Sequence, residues 1–174
     1  MLLTFLLQLL AFISPTHSFP YGRCYVPQCK HAPFQAQLTY SQQNQFCFQF
    51  QAKKCTPESY QCCEKFQKLT FKFVMPSIPV CNKSLDYVTL NTIRKPSSVF
   101  FDIYNSKAEL RITALNMEGT RLMNTEFCVY LKPNSTCNTY KKFCRLSRNK
   151  AKCSAALFDP SEHDCCPHCR IKPI

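Results

Sequence analysis

The chain has 174 residues, with 22 Lys and Arg against 10 Asp and Glu (formal net charge +12), 14 Cys, 12 Pro, 2 Gly and no Trp. That length suits one domain with a modest core, and prolines scattered singly among so few glycines exclude a collagen-like or low-complexity rod. A charge of this size bears on partners and solubility, not on the fold.

In chain order, residues 1–13 form an apolar run with no charged side chain, followed by Ser14-Pro15-Thr16-His17-Ser18. This reads as a signal peptide over 1–18, cut after Ser18, leaving a single domain over 19–174. The run is shorter than the ~20 residues a bilayer span needs. No second apolar run follows, and Arg170-Ile171-Lys172-Pro173-Ile174 carries no lipid-anchor or retention signal. A secreted product with no membrane anchor is therefore expected. In an oxidising compartment the cysteines are expected as disulfides: Cys24, Cys29, Cys47, Cys55, Cys62, Cys63 and Cys81 in the first half, then Cys128, Cys137, Cys144, Cys153, Cys165, Cys166 and Cys169. Adjacent cysteines at 62–63 and 165–166 should each take different partners, because bridging neighbours strains the geometry. The connectivity stays open.

Residues 19–30 are turn-rich and read as an extended arm pinned by cystines. Phe46, Phe48 and Phe50 alternate with polar residues over 45–51, the period of a half-buried strand. Thr56-Pro57-Glu58 reads as a helix start, with a short helix continuing through Cys62 and Cys63 to Phe66. A second alternating strand is expected over 69–74 with Leu69, Phe71 and Phe73 inward. Further strands are expected over 87–90, 99–102, 109–115 and 126–132, a short helix over 139–146, and a closing strand over 151–158. Short strands without long helical periods between them predict an all-β, disulfide-rich fold, an antiparallel sandwich or barrel with one or two short helices.

Catalytic patterns such as Gly-x-Ser-x-Gly or His-Glu-x-x-His are absent, and the even cysteine count leaves no spare nucleophile. An enzyme is not expected, nor a cofactor. Cys166-Pro167-His168-Cys169, with His163 and Cys165 nearby, can be drawn as a zinc site, but in this compartment the pairs read as cystines, so no metal is expected. Residues 140–152 contain Lys141, Lys142, Arg145, Arg148, Lys150 and Lys152 and no acid. A helix there would put Lys141, Arg145, Arg148 and Lys152 on one face. That strip reads either as a docking site for a polyanion or as a solvated face. Outside the cell the abundant polyanions are acidic or sulfated polysaccharides, so nucleic acid is not the expected partner. Asn82-Lys83-Ser84 and Asn134-Ser135-Thr136 are sequons, making Asn82 and Asn134 candidate N-glycosylation sites.

One family gathers these pieces. Ser18-Phe19-Pro20-Tyr21, Cys29-Lys30, Phe46-Cys47-Phe48, the Cys62-Cys63 doublet, Leu69-Thr70-Phe71, residues 110–115 and 127–131, Ala155-Ala156-Leu157-Phe158-Asp159 and Cys165-Cys166-Pro167-His168-Cys169 together resemble a pherophorin domain, the globular module of extracellular-matrix glycoproteins in volvocine green algae. The resemblance covers essentially all of 19–174. It implies a secreted, disulfide-bonded, glycosylated cell-wall component that associates with itself, with other matrix glycoproteins and with wall polysaccharide. The alternative it implies is a diffusible glycoprotein signal related to the sex-inducing pheromone. The proline-rich rod of many relatives is missing from this sequence, so fibrous crosslinking is not expected.

Overall fold

Phe46, Phe48 and Phe50 are buried together, while Gln45, Gln49 and Gln51 alternate with them on the other side of the strand. This alternation identifies the inner side of one sheet and so orients the domain. The computed structural model describes residues 24–56, 60–104, 106–144, 153–161 and 164–173. The strands are β1 (Val26–Gln28), β2 (Phe34–Gln42), β3 (Gln45–Ala52), β4 (Lys72–Ser77), β5 (Leu85–Leu90), β6 (Ile93–Arg94), β7 (Val99–Tyr104), β8 (Lys107–Ile112), β9 (Phe127–Leu131), β10 (Ser154–Phe158) and β11 (Cys165–Arg170). Short helices α1 (Tyr60–Lys68), α2 (Gly119–Met123) and α3 (Tyr140–Phe143) interrupt them.

The strands form a six-stranded sheet, ordered β1-β11-β10-β4-β8-β7, and a five-stranded sheet, ordered β2-β3-β9-β5-β6. All neighbours are antiparallel except β1 and β11. The sheets pack face to face, as a sandwich must to bury both apolar sides. Phe48 of one sheet meets Phe73 of the other at 5.0 Å between ring centroids and stacks on Phe127 at 5.4 Å. The expected all-β, disulfide-rich sandwich is therefore the observed fold.

Tight turns carry the left-handed residues. The two-residue turn between β2 and β3 has Asn44 at φ 69°, and that between β5 and β6 has Asn91 at 47° and Thr92 at 69°. The second of these, left-handed at both central residues, is the turn type that matches the right-handed twist of a hairpin. Ala114 at φ 52° ends β8 sooner than the expected 109–115 strand.

Several boundaries differ from expectation for identifiable reasons. The strand expected over 69–74 begins at Lys72, because the Thr70 backbone pairs instead with Met117. Phe71 is accordingly only half-buried. Alternation is lost in β4 because both its faces are covered: Val74 packs in a second cluster with Ala156, Phe158 and Cys166. Pro76, which has no N–H to donate, lies beyond Val74, where the pairing with β10 stops. The strand expected over 151–158 is seen as β10 but does not close the fold, since β11 follows it and carries the last three cysteines. The N-terminal arm is held as expected, with Cys24 bridged to Cys166 and Cys29 to Cys169. The expected signal peptide lies outside the described residues.

Candidate binding surfaces

All 14 cysteines are paired. The bridges are Cys24–Cys166, Cys29–Cys169, Cys47–Cys128, Cys55–Cys63, Cys62–Cys165, Cys81–Cys137 and Cys144–Cys153. Helical geometry explains the first doublet: neighbours on α1 diverge by about 100°, so Cys62 reaches Cys165 while Cys63 turns back to Cys55. On β11 successive residues face opposite sides of the sheet, which sends Cys165 into the main core and Cys166 into the outer cluster. Each sulfur of Cys166-Pro167-His168-Cys169 is therefore part of a bridge and has no thiolate for a metal. The same holds for Cys47 and Cys128 beside Glu126, which are bonded to each other.

One buried acid sits in this cystine-rich corner. Asp159 has a side chain 1% exposed, and Lys65 Nζ approaches its carboxylate at 3.4 Å while meeting Asp164 at 2.6 Å. The Ser161 hydroxyl donates to Asp159 at 2.8 Å, and the Cys165 N–H faces it at 3.5 Å. Asp164, and then Asp159, hold the Lys65 ammonium above its ordinary pKa. This buried carboxylate, met by Lys65, Ser161 and the Cys165 N–H, docks α1 against β10 and β11.

Two of the cationic candidates, Lys141 and Lys142, stand elsewhere, on α3. Cys81–Cys137 joins the 3-10 turn Pro79–Ser84 to the segment after β9. Ser84 Oγ accepts from the Cys137 N–H at 3.1 Å, and Ser84 O accepts from the Lys132 N–H at 2.8 Å. Cys81 Sγ lies 3.6 Å from Lys142 O. Lys83, Lys132, Lys141 and Lys142 are all exposed around this bridge. An open cleft of about 560 Å³ is lined by Lys83, Lys132 and both sequons. Asn82 and Asn134, far apart in sequence, thus stand exposed on one cleft.

The helix expected over 139–146 is shorter than expected. α3 ends at Phe143, Cys144 is extended (φ −94°, ψ 94°), and Thr139 caps the helix by accepting from the Lys142 N–H. Cys144 and Cys153 have Cα atoms 5.3 Å apart, where nine helical steps would span about 13.5 Å. Of the expected strip, α3 carries Lys141 and Lys142. Arg145, Arg148, Lys150 and Lys152 lie outside the described residues. Lys83 and Lys132 were not legible as neighbours of α3, because the β5–β9 pairing, the Ser84 hydrogen bonds and the Cys81–Cys137 bridge that bring these segments together all join residues distant in sequence.

A second unusual group lies on the outer face of the six-stranded sheet. Glu109 is buried opposite Asp102, which is itself bonded to Arg111 at 2.7 Å. Burial first, then the Asp102 charge, push the Glu109 carboxyl up to about 7 against the pull of Arg111 and Lys72. The folded chain then retains a proton that the unfolded chain releases at about pH 4.5. Stability from this group is present below that pH and is lost as pH rises to about 7. Glu109→Gln should therefore match the parent near pH 4 and exceed it above pH 7 by on the order of 2 kcal/mol. Denaturant titrations at the two pH values measure this, and equal stabilities at both would refute it.

With every cysteine bridged, the molecule belongs to the class of cystine-stapled β-sandwich domains. The pherophorin family model matches residues 19–167, and the chain belongs to that family. It is similar to "Perphorin-2" of Volvox carteri, 32% identical over 136 residues, which covers 71% of this chain and 27% of that protein. The chain thus spans about a quarter of that relative's length. No solved structure matches.

Proposed function

We propose that this chain is a secreted extracellular-matrix glycoprotein of pherophorin type that works by binding: it holds acidic or sulfated polysaccharide at its cationic end and carries N-linked glycans at Asn82 and Asn134. Family membership supports the matrix setting. The observation that carries the binding reading is the gathering of Lys83, Lys132, Lys141 and Lys142 around Cys81–Cys137 in a chain of net charge +12. Four exposed ammonium groups on a rigid support attract a polyanion before contact, over a screening length of about 8 Å at physiological salt. Among the described residues no helix is long and apolar enough to cross a membrane.

Salt dependence tests the reading. Affinity for a sulfated galactan, measured by calorimetry, should fall at least about tenfold between roughly 0.01 and 0.15 M salt, as the screening length shrinks from about 30 to 8 Å. Lys83→Glu with Lys132→Glu should weaken it by a similar factor. Affinity that ignores salt, or is indifferent to both substitutions, would remove this reading.

A further inference from the structure

The longest hairpin of the protein, β2–β3, contains no Asp, Glu, Lys, Arg or His from Phe34 to Ala52. Its inner face is apolar: Phe34, Ala36, Leu38, Phe46, Phe48 and Phe50 enter the core. Its outer face is an array of amides, with Gln35 opposite Gln51, Gln37 opposite Gln49, and Gln42 opposite Gln45. In a chain with 22 Lys and Arg, an ordinary solvated sheet face would carry cations. This one carries none on its two longest strands.

The array continues across the sheet. Tyr130 and Tyr87 stack with centroids 4.3 Å apart, and the Arg94 guanidinium caps Tyr87 at 4.3 Å. Two amides are already oriented: Gln45 Nε2 donates to Tyr130 Oη at 3.2 Å and Gln35 Nε2 to Arg170 O at 3.0 Å. The carbonyl oxygens of these two glutamines are thereby held as acceptors. On the same face Thr89 is 5% exposed, and its hydroxyl has no hydrogen-bond partner. The Cys47–Cys128 bridge crosses between β3 and β9 and stiffens the floor.

We propose that this outer face of the five-stranded sheet binds a neutral polysaccharide chain. Each amide offers both donors and an acceptor, which matches sugar hydroxyls that also do both. An uncharged ligand leaves no buried charge unpaired. Amides and phenols fixed before binding lose little freedom when a ligand arrives. A chain lying across the strands meets a new row of polar groups about every 4.8 Å, close to the advance of one sugar ring. The proposal rests on the reading of the chain as a matrix-binding module, but it uses none of the lysines assigned to the polyanion.

Affinity electrophoresis of the full chain through gels containing a mixed-linkage β-glucan, a galactomannan or an arabinan tests it, at low salt and at ~1 M salt, where exposed charges are screened beyond about 3 Å. Retardation by at least one polymer should survive high salt. It should weaken about tenfold, roughly 1.4 kcal/mol, in Gln37→Ala with Gln49→Ala and in Gln49→Lys, both checked for unchanged melting. It should persist in Lys83→Glu with Lys132→Glu, so a failure of polyanion binding leaves this result standing. No retardation by any of the polymers overturns the proposal, as does retardation indifferent to the glutamine variants. A dimer that the same variants dissociate, without glycan retardation, would overturn it in favour of a second copy on this face.

Discussion

Replacing Cys62 and Cys165 together by Ala is expected to destabilise the domain by about 4 kcal/mol, whereas removing Cys144 and Cys153 together should cost about 2.5 kcal/mol. The difference comes from the loops each bridge closes in the unfolded chain. The Cys62–Cys165 pair is 103 residues apart and Cys144–Cys153 is nine. With Cys24–Cys166 intact the path between residues 62 and 165 shortens to roughly 40 residues, which lowers the first figure only slightly because the dependence is logarithmic. The pair also fastens α1 beneath β11, next to the Lys65–Asp159 contact, so its loss frees a buried carboxylate corner as well. Removing both partners avoids a stray thiol. Denaturation midpoints under non-reducing conditions provide the comparison, and equal losses for the two pairs would contradict the loop argument.

Phe48→Ala is expected to cost on the order of 4 kcal/mol. Phe48 is fully buried and touches rings from three strands: Phe50 at 6.0 Å, Phe73 at 5.0 Å and Phe127 at 5.4 Å with planes only 10° apart. Two of those rings are in its own sheet and Phe73 is in the facing one, so truncation opens a void in the seam between the layers. Neighbouring rings cannot collapse into it without leaving their own contacts, which puts the cost near the upper part of the usual range. Ile93→Ala is the control: its side chain is 64% exposed on β6, and it should change stability by no more than about 0.5 kcal/mol. A Phe48 loss as small as the control would mean the sheets are not joined through this cluster.

Much of this core was legible before any coordinates, because Phe46, Phe48 and Phe50 declare a one-sided strand by period alone. The Cys62-Cys63 helix and the strand containing Phe127 and Val129 were legible for similar reasons. β2 has the same period-two signal in Phe34, Ala36 and Leu38 directly after Pro33, but alanine at its centre and the polar run 39–45 make that signal weaker than the one in β3. β11 was hidden for a different reason. In Cys165-Cys166-Pro167-His168-Cys169 the apolar residues are cysteines whose burial depends on partners distant in sequence, and proline argues against a strand unless its missing N–H is not needed. The basic segment showed the limit of local periodicity, since helical spacing after Lys141 ignores a bridge that returns Cys153 to Cys144. Lys83, Lys132 and the paired sequons come together through the β5–β9 pairing and Cys81–Cys137, and neither strand register nor connectivity can be read from spacing among 14 cysteines. The amide face was open to inspection as a run without charge, but its cross-strand pairing needed the register.

The central claim is that covalent sulfur pairing, with no thiol held in reserve, builds these surfaces. Peptide mapping of the unreduced secreted protein, after alkylation in denaturant, tests it most directly. The expected result is no alkylated cysteine, a peptide pair linked by Cys81–Cys137 that joins the two sequon segments, and one larger cluster held through the two cysteine doublets, in which partial reduction with stepwise labelling assigns Cys62 to Cys165 and Cys63 to Cys55. Alkylation of any cysteine in a substantial fraction of molecules, or a bridge pairing Cys81 elsewhere, would contradict it.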